Sequence, residues 1–236
     1  MRSELVPRFS ATARALHWIH ATGFLAMTST GLALYVPAWS GLAGGRTALK
    51  AVHLAAAALW FAGIAATVAV ADRRALRSAL HDLEHFDVDD RRWFRNRRVP
   101  QGRFNAGQKL HTALQAGLAC LLGLSGALLW LGERNHALRT DGALTLHDAA
   151  GTVGLVLLSG HLWFAVIQPS TRPALRGIVT GRVSRDWARH HHPKWDPRHE
   201  TRPPTAPGQR LVALASLALG AGVALLFLRE GDLLPL

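Results

Sequence analysis

Cysteine is nearly absent from this chain: there is one, Cys120, in 236 residues. No disulfide can form within the chain, and without a C-x-x-C-H run covalent c-type haem attachment is excluded. Charge is missing too, but only in places. Five apolar runs, roughly Leu16–Val36, Val52–Ala71, Leu110–Leu131, Leu144–Ile167 and Leu211–Leu228, contain no Asp, Glu, Lys or Arg except Asp148. The last run lacks histidine as well. Each approaches the ~20 residues needed to cross a hydrocarbon core. No small-x-small cleavage site follows the first run, which is therefore expected to remain as a helix. No internal repeat is evident. In a soluble protein a net charge of +12 and a pI near 11.5 would suggest nucleic acid. Here the charge lies between apolar blocks, so a multi-pass membrane protein with no nucleic-acid partner is expected.

The connections orient the helices. Counting Lys and Arg from the N-terminus onward, the flanking segments carry 3, 2, 10, 2, 9 and 1. Basic segments stay on the cytoplasmic side. The N-terminus and the second (72–109) and fourth (168–210) connections are thus expected inside. The first and third connections and the C-terminus are expected outside, which is the periplasm for a bacterial inner membrane. The basic connections also suit anionic lipid headgroups. Pro203–Pro207 ("PPTAP") reads as a stiff linker before the last helix.

What is abundant is histidine, with 13 residues. His81, His85, His136, His190, His191, His192 and His199 fall in polar connections and are expected to be solvated. The others sit in or beside membrane segments, where ionisable groups face the bundle interior and carry function. His147 and His161 lie on one helix. Fourteen residues rise about 21 Å, and fourteen steps of about 100° return the side chain to within ~40° of the same face. One helix therefore presents two imidazoles at two depths, His147 outer and His161 inner. Loop topology places His53 near the outer surface and His17 near the inner one. Two bis-histidine pairs follow, His17 with His161 and His53 with His147. Two axial imidazoles are the ligation of a b-type haem. Zinc suits these sites poorly, since neither offers a thiolate or carboxylate set to complete four ligands. His20, one turn from His17, is an alternative ligand. His111 reads either as a contact behind a ligand or as an interfacial histidine.

The runs "ALHWIH", "KAVHLAAA", "GRFNAGQKLH", "LHDAAG…GHLWFA" and "GRVSRDWARHHHPKW" resemble the gamma, cytochrome b, subunit of respiratory formate dehydrogenases, from residue 8 to about 195. The resemblance implies an all-α integral membrane protein, with a four-helix bundle holding two b haems in residues 1–200. Residues 201–236 would add a linker and a fifth transmembrane helix that the family pattern lacks. It implies His17 and His161 as ligands of the inner haem, and His53 and His147 as ligands of the outer one. His17 rather than His20 is selected because it directly precedes Trp18. The resemblance further implies a quinone, ubiquinone or menaquinone, contacted by Asn105, Gly107, Gln108 and His161. Asn105 also reads as a helix N-cap, and both roles can coexist. The implied partners are an iron–sulfur beta subunit and a molybdenum- or tungsten-pterin alpha subunit. The chain would carry their electrons inward to quinone, with no formate chemistry of its own. The cytochrome b of a [NiFe] hydrogenase or a thiosulfate reductase is an alternative, as is a haem-free transporter or assembly protein.

Alkaline phosphatase matures only in an oxidising compartment. Fused after Leu236 it should therefore be active in whole cells, and fused within residues 72–109 it should be inactive. The reverse pattern would invert the topology.

Overall fold

A computed structural model describes residues 4–41, 44–197 and 206–234. His199, and Pro203–Thr205 of the proline-rich linker, lie outside the described residues. The chain is mostly helical. In order come β1 (Leu5–Pro7), α1 (Ala11–Tyr35), α2 (Pro37–Ser40), α3 (Arg46–Ala69), α4 (Arg73–Glu84), α5 (Val88–Trp93) and α6 (Ala106–Arg134). A 3-10 turn (His136–Leu138) leads to α7 (Ala143–Leu162), which closes in a π turn (Trp163–Ile167). Then come α8 (Ala174–Thr180), β2 (Arg182–Ser184), α9 (Arg185–His191) and α10 (Pro207–Glu230).

Among the described residues four helices are long and apolar enough to cross a membrane: Arg46–Ala69, Ala106–Arg134, Ala143–Ile167 and Pro207–Glu230. Helix α1 has the length, at 25 residues, but is not among them. His17, His20 and the hydroxyl residues Thr22, Thr28, Ser29 and Thr30 dilute its hydropathy. The helices overrun their apolar cores because polar signals stop them. Asn105 caps α6, left-handed Gly142 (φ 79°) precedes α7, and Pro207 starts α10. The π turn ends at Gln168, held extended (ψ 115°) ahead of Pro169.

The chain divides into two compact units. One contains α1, α3 and α10, and its contacts are made by small residues. A Cβ on Gly220 would lie 2.2 Å from the Ala62 Cβ, and one on Gly231 would lie 2.3 Å from the Ala51 Cβ. Helices α10 and α3 thus touch nearly backbone to backbone at two levels. Between α1 and α3, the Trp60 indole fills the space beside Gly23, where a Cβ would come within 2.3 Å of it. Leu211, Leu214, Leu219 and Leu226 of α10 stay exposed. Lipid tails are as apolar as leucine, so close packing of small residues, not burial of large ones, joins such helices.

The other unit contains the antiparallel pair α6 and α7 and the polar segments that flank them. Its β1–β2 ribbon pairs Leu5 with Ser184, Val6 with Val183 and Pro7 with Arg182, antiparallel. Three-residue strands are too short to show a period in sequence, and none was expected there. Val6, Val183 and Ala188 form a small core under Trp187 and Trp195. Beside it Arg8 is buried, with Trp187, Phe9 and Trp195 rings 4.8, 5.2 and 5.8 Å from its Cζ. Arg8 and Arg103 each donate to the other's carbonyl, at 3.2 and 2.7 Å. Burial, and then the Arg103 charge, push the Arg8 guanidinium down to about 9.

One sequence expectation is overturned here. His192 is not solvated: it is 2% exposed, and its Nδ1 donates to the Gly102 carbonyl at 2.7 Å. A run of three histidines looks solvated by composition, but α9 ends at His191 and turns the next ring inward.

Burial, and then the Arg8 charge, push the His192 imidazole down to about 3, against the pull of the Gly102 hydrogen bond. The folded protein therefore disfavours a proton that the unfolded chain accepts near pH 6.5. Stability should be flat above about pH 6.5 and fall from there toward pH 3. One pKa unit is about 1.4 kcal/mol, so the loss should reach several kcal/mol. Thermal unfolding of full-length protein across that range should show it, and His192→Gln should flatten the acid limb.

Candidate functional site

The ligand candidates divide between the two units. His17 and His53 belong to the unit of α1, α3 and α10; His147 and His161 belong to that of α6 and α7.

His53 and His147 are held in the same way. The Thr30 hydroxyl on α1 lies 2.7 Å from the His53 Nδ1, and the Ser125 hydroxyl on α6 lies 2.9 Å from the His147 Nδ1. Each hydroxyl also donates one turn back along its own helix, Thr30 to the Ala26 carbonyl at 2.7 Å and Ser125 to Leu121 at 2.7 Å. A hydroxyl has one proton. With that proton given to the carbonyl, the oxygen accepts from Nδ1–H. This hydrogen bond selects the neutral tautomer whose Nε2 carries the lone pair, the form that ligates a metal. The residue after each hydroxyl is glycine. A Cβ on Gly31 would lie 3.6 Å from the His53 Cε1, and one on Gly126 would lie 3.4 Å from the His147 Cε1. Each ring thus has one side supported by a hydroxyl and another bordered by bare backbone.

These supports were not recognised from sequence. Their signal is the pair of dipeptides Thr30-Gly31 and Ser125-Gly126, where the hydroxyl precedes its histidine by 23 and 22 residues.

At the other end of α7, His161 stacks on His111 of α6, with centroids 5.1 Å apart and rings 8° from parallel. His111 is thus a contact behind a candidate ligand. The two contacts between α6 and α7 form matched levels. Ser125 lies 14 residues after His111, and His161 lies 14 after His147. In antiparallel helices this puts the levels about 21 Å apart on both. In the other unit, His17 packs edge-on to Trp18, with centroids 5.4 Å apart. His20 instead joins an aromatic cluster, 5.7 Å from Phe24 and 5.4 Å from Trp60.

The polar run at the start of α6 forms a reciprocal cap. Asn105 Oδ1 accepts from the Gln108 N–H at 2.9 Å, and Gln108 Oε1 accepts from the Asn105 N–H at 3.0 Å. The N-cap role of Asn105 is therefore real. Both side-chain oxygens are used, so the amide NH₂ groups are what these residues can offer a carbonyl ligand. Gly107 meets Trp93 of α5, where a Cβ would lie 3.0 Å from Cη2. His111 follows one turn later and brings His161 to this end of the pair.

The donor chemistry fits a haem. Two rings have the metal-binding nitrogen selected, and glycine backbone beside each leaves room for a flat ligand. Among the described residues no cluster of three or more His, Cys, Asp or Glu could hold a bare metal ion.

Comparison with known proteins is consistent with this chemistry. Residues 8–181 match the family described as prokaryotic cytochrome b561, and the chain belongs to that family. Its members are b-type cytochromes, so a b-type haem and a multi-pass membrane setting follow from membership. The cytochrome b556(Fdn) subunit of nitrate-inducible formate dehydrogenase from Escherichia coli K12 is 24% identical over 213 residues, covering 82% of this chain and 91% of that protein. The cytochrome b556(fdo) subunit of formate dehydrogenase from the same organism is 27% identical over 208 residues, covering 82% and 93%. The cytochrome b556 subunit of formate dehydrogenase from Haemophilus influenzae is 26% identical over 209 residues, covering 80% and 81%.

Thr30→Val and Ser125→Ala should each remove the acceptor for Nδ1–H at little cost in volume. Loss of such a support commonly lowers metal affinity about 10- to 100-fold. Each variant should lower the haem-to-protein ratio of the purified protein and shift its low-spin electron paramagnetic resonance signal. Unchanged haem content and signal in both would show that the hydroxyls do not govern the ligands.

Proposed function

We propose that this chain is the membrane cytochrome b subunit of a formate dehydrogenase facing the periplasm, carrying electrons inward through two b haems to quinone. The observation that carries the reading is the twin support of His53 and His147, whose Nδ1 atoms lie 2.7 and 2.9 Å from the hydroxyls of Thr30 and Ser125. The formate-dehydrogenase cytochrome subunits that align over four-fifths of the chain name the complex.

In this reading all five apolar helices span the inner membrane, α1 included. The N-terminus is cytoplasmic and the C-terminus periplasmic, as the loop charges require. The imidazoles of His17, His53, His147 and His161, on α1, α3 and α7, would be tolerable in hydrocarbon as ligands of the haems. Membrane depth pairs His53 with His147 at the outer level and His17 with His161 at the inner. The bound haems supply a one-electron Fe(III)/Fe(II) couple at each level.

The residues do the rest. Thr30 and Ser125 hold the outer imidazoles as Nδ1–H tautomers with Nε2 toward the metal. His111 backs His161 at the inner level. The amide NH₂ groups of Asn105 and Gln108 donate to a quinone carbonyl beside the inner level, where the basic connections meet cytoplasmic water and its protons. Asn105 and Gln108 thus act as cap and quinone contact together. An iron–sulfur subunit delivers electrons to the outer level, and a molybdenum- or tungsten-pterin subunit oxidises formate. Moving an electron inward against the membrane potential costs about 2.3 kcal/mol per 100 mV, which the fall in potential from formate to quinone offsets.

Purified protein should show a reduced-minus-oxidised b-type spectrum with two haems per chain; no such spectrum would overturn the reading. His53→Ala and His147→Ala should remove one spectral species, and His17→Ala and His161→Ala the other. Loss of one shared species by His53→Ala and His161→Ala would refute the pairing.

A further inference from the structure

The second connection does more than keep the N-terminus inside. Helix α5 has six residues, far too few to be stable alone. Its place must therefore come from contacts beyond itself. Two of these reach the first turns of α6. Asp90 is buried, and its Oδ2 accepts from Lys109 Nζ at 2.6 Å; Lys109, also buried, donates to the His85 carbonyl at 2.9 Å as well. One turn on, Trp93 lies against Gly107 so closely that a Cβ there would meet its ring at 3.0 and 3.1 Å. The guanidinium of Arg97 lies over that indole, 3.7 Å from the ring centroid.

An ion pair taken out of water is poor value as plain glue, since well-packed apolar residues commonly do as well. What it does supply is one geometry. Asp90 has its carboxylate orientation set twice, because the same Oδ2 accepts the Asp87 N–H at 3.0 Å while Asp87 Oδ1 accepts the Asp90 N–H at 2.8 Å. Behind the segment, Gln101 is buried, and its Oε1 accepts the Ala106 N–H at 2.9 Å. Gln101 Nε2 also donates to the Asp89 carbonyl at 3.4 Å, so the turn bearing Asn105, Gly107 and Gln108 is joined to α5 by a second route; the half-buried Trp93 and Asn105 Oδ1 both come within 3.3 Å of the place a Gly107 Cβ would take.

We propose that Trp93 forms one wall of the quinone headgroup site and that the Asp90–Lys109 pair is the positioning device that holds it against Gly107. The inference rests on the quinone role of Asn105 and Gln108 proposed above. A quinone headgroup is a flat conjugated ring with two carbonyl acceptors. An indole packed against the glycine between two amide-bearing residues matches both features, and stacking on Trp gives the ring a fixed plane. Trp93 touches the substrate. Asp90 and Lys109 act through Trp93 and are positioning residues.

The test uses the full-length protein in lipid nanodiscs. Its haems are reduced with dithionite to the equivalence point, then mixed by stopped flow with a short-tailed ubiquinone. The rate of haem reoxidation against quinone concentration yields a half-saturation concentration and a limiting rate. Trp93→Leu and Asp90→Asn should raise half-saturation about tenfold, the size of one aromatic contact, with haem spectra unchanged. Trp93→Phe should restore most of the wild-type value, as mere support of the fold would not require an aromatic ring. Gln108→Ala, measured beside them, separates the two readings. If Gln108→Ala raises half-saturation while Trp93→Leu leaves it unchanged, Trp93 is not a wall and this proposal fails alone. If Gln108→Ala changes nothing, quinone does not bind at this helix start, and the quinone assignment fails with it. Should Asp90→Asn fail to assemble, Trp93→Leu and Trp93→Phe decide the matter, because Trp93 is only half-buried.

Discussion

An imidazole inside hydrocarbon must have both ring nitrogens engaged, because no water is present to take the place of a lost partner. Much of the molecule follows from that constraint. It explains why hydroxyls sit opposite His53 and His147, and why each gives its proton backward along its own helix. It also explains why the next residue in each case is glycine. A threonine or serine in mid-helix usually has little to gain from tertiary contact. Thr30 and Ser125 are different because an imidazole on a facing helix meets the oxygen that the carbonyl bond leaves able to accept. The tautomer of each ring is then chosen by the helix that faces it, before any metal is bound.

The polar segments obey the opposite economy. Around Arg8, Arg103 and His192, guanidinium, imidazole and three aromatic rings pack where a soluble protein would place leucine and valine. The N-terminal strand is tied to the fourth connection by the ribbon, and by Arg185 gripping Glu4 through two 2.8 Å bonds. Lys194 joins Asp87 and Asp89 of the second connection. These contacts link segments more than ninety residues apart in sequence. Arg8, His192 and Lys194 also bond to Arg103, Gly102 and Gln101, the residues that lead into α6. Helix α10 shows the same division of labour within its own unit. Gly220, and Gly231 just past its end, meet α3, and leucines such as Leu211 and Leu219 stay exposed as membrane helices allow.

Much of this could be read from one chain. Runs of about 20 uncharged residues placed the membrane helices, because crossing hydrocarbon imposes a length and a composition that few other structures need. Helix α1 was legible as a helix by length, but its histidines and hydroxyls keep it out of the four helices apolar enough to cross a membrane. Asn105 was legible as a cap because capping is local, involving residues three apart. The hydroxyl supports were not legible. Serine and threonine occur throughout these helices, and only a partner on another helix distinguishes Thr30 and Ser125. His192 was misread for a related reason, since nothing within the run of three histidines says which one turns inward. The Asp90–Lys109 pair was hidden among ten cations of one connection, where a buried lysine looks like any other.

By itself the sequence determined that the chain is a multi-pass membrane protein, that its basic residues alternate from one connection to the next, and that two histidines fourteen residues apart share a face of one helix. Those are properties of periodicity and charge, which act along a chain. Only the tertiary structure decided which nitrogen of His53 and His147 is presented, that His111 backs His161, and that Trp93 stands over Gly107. Each of these depends on a direction in space between groups on different segments, and spacing along one segment carries no record of that direction.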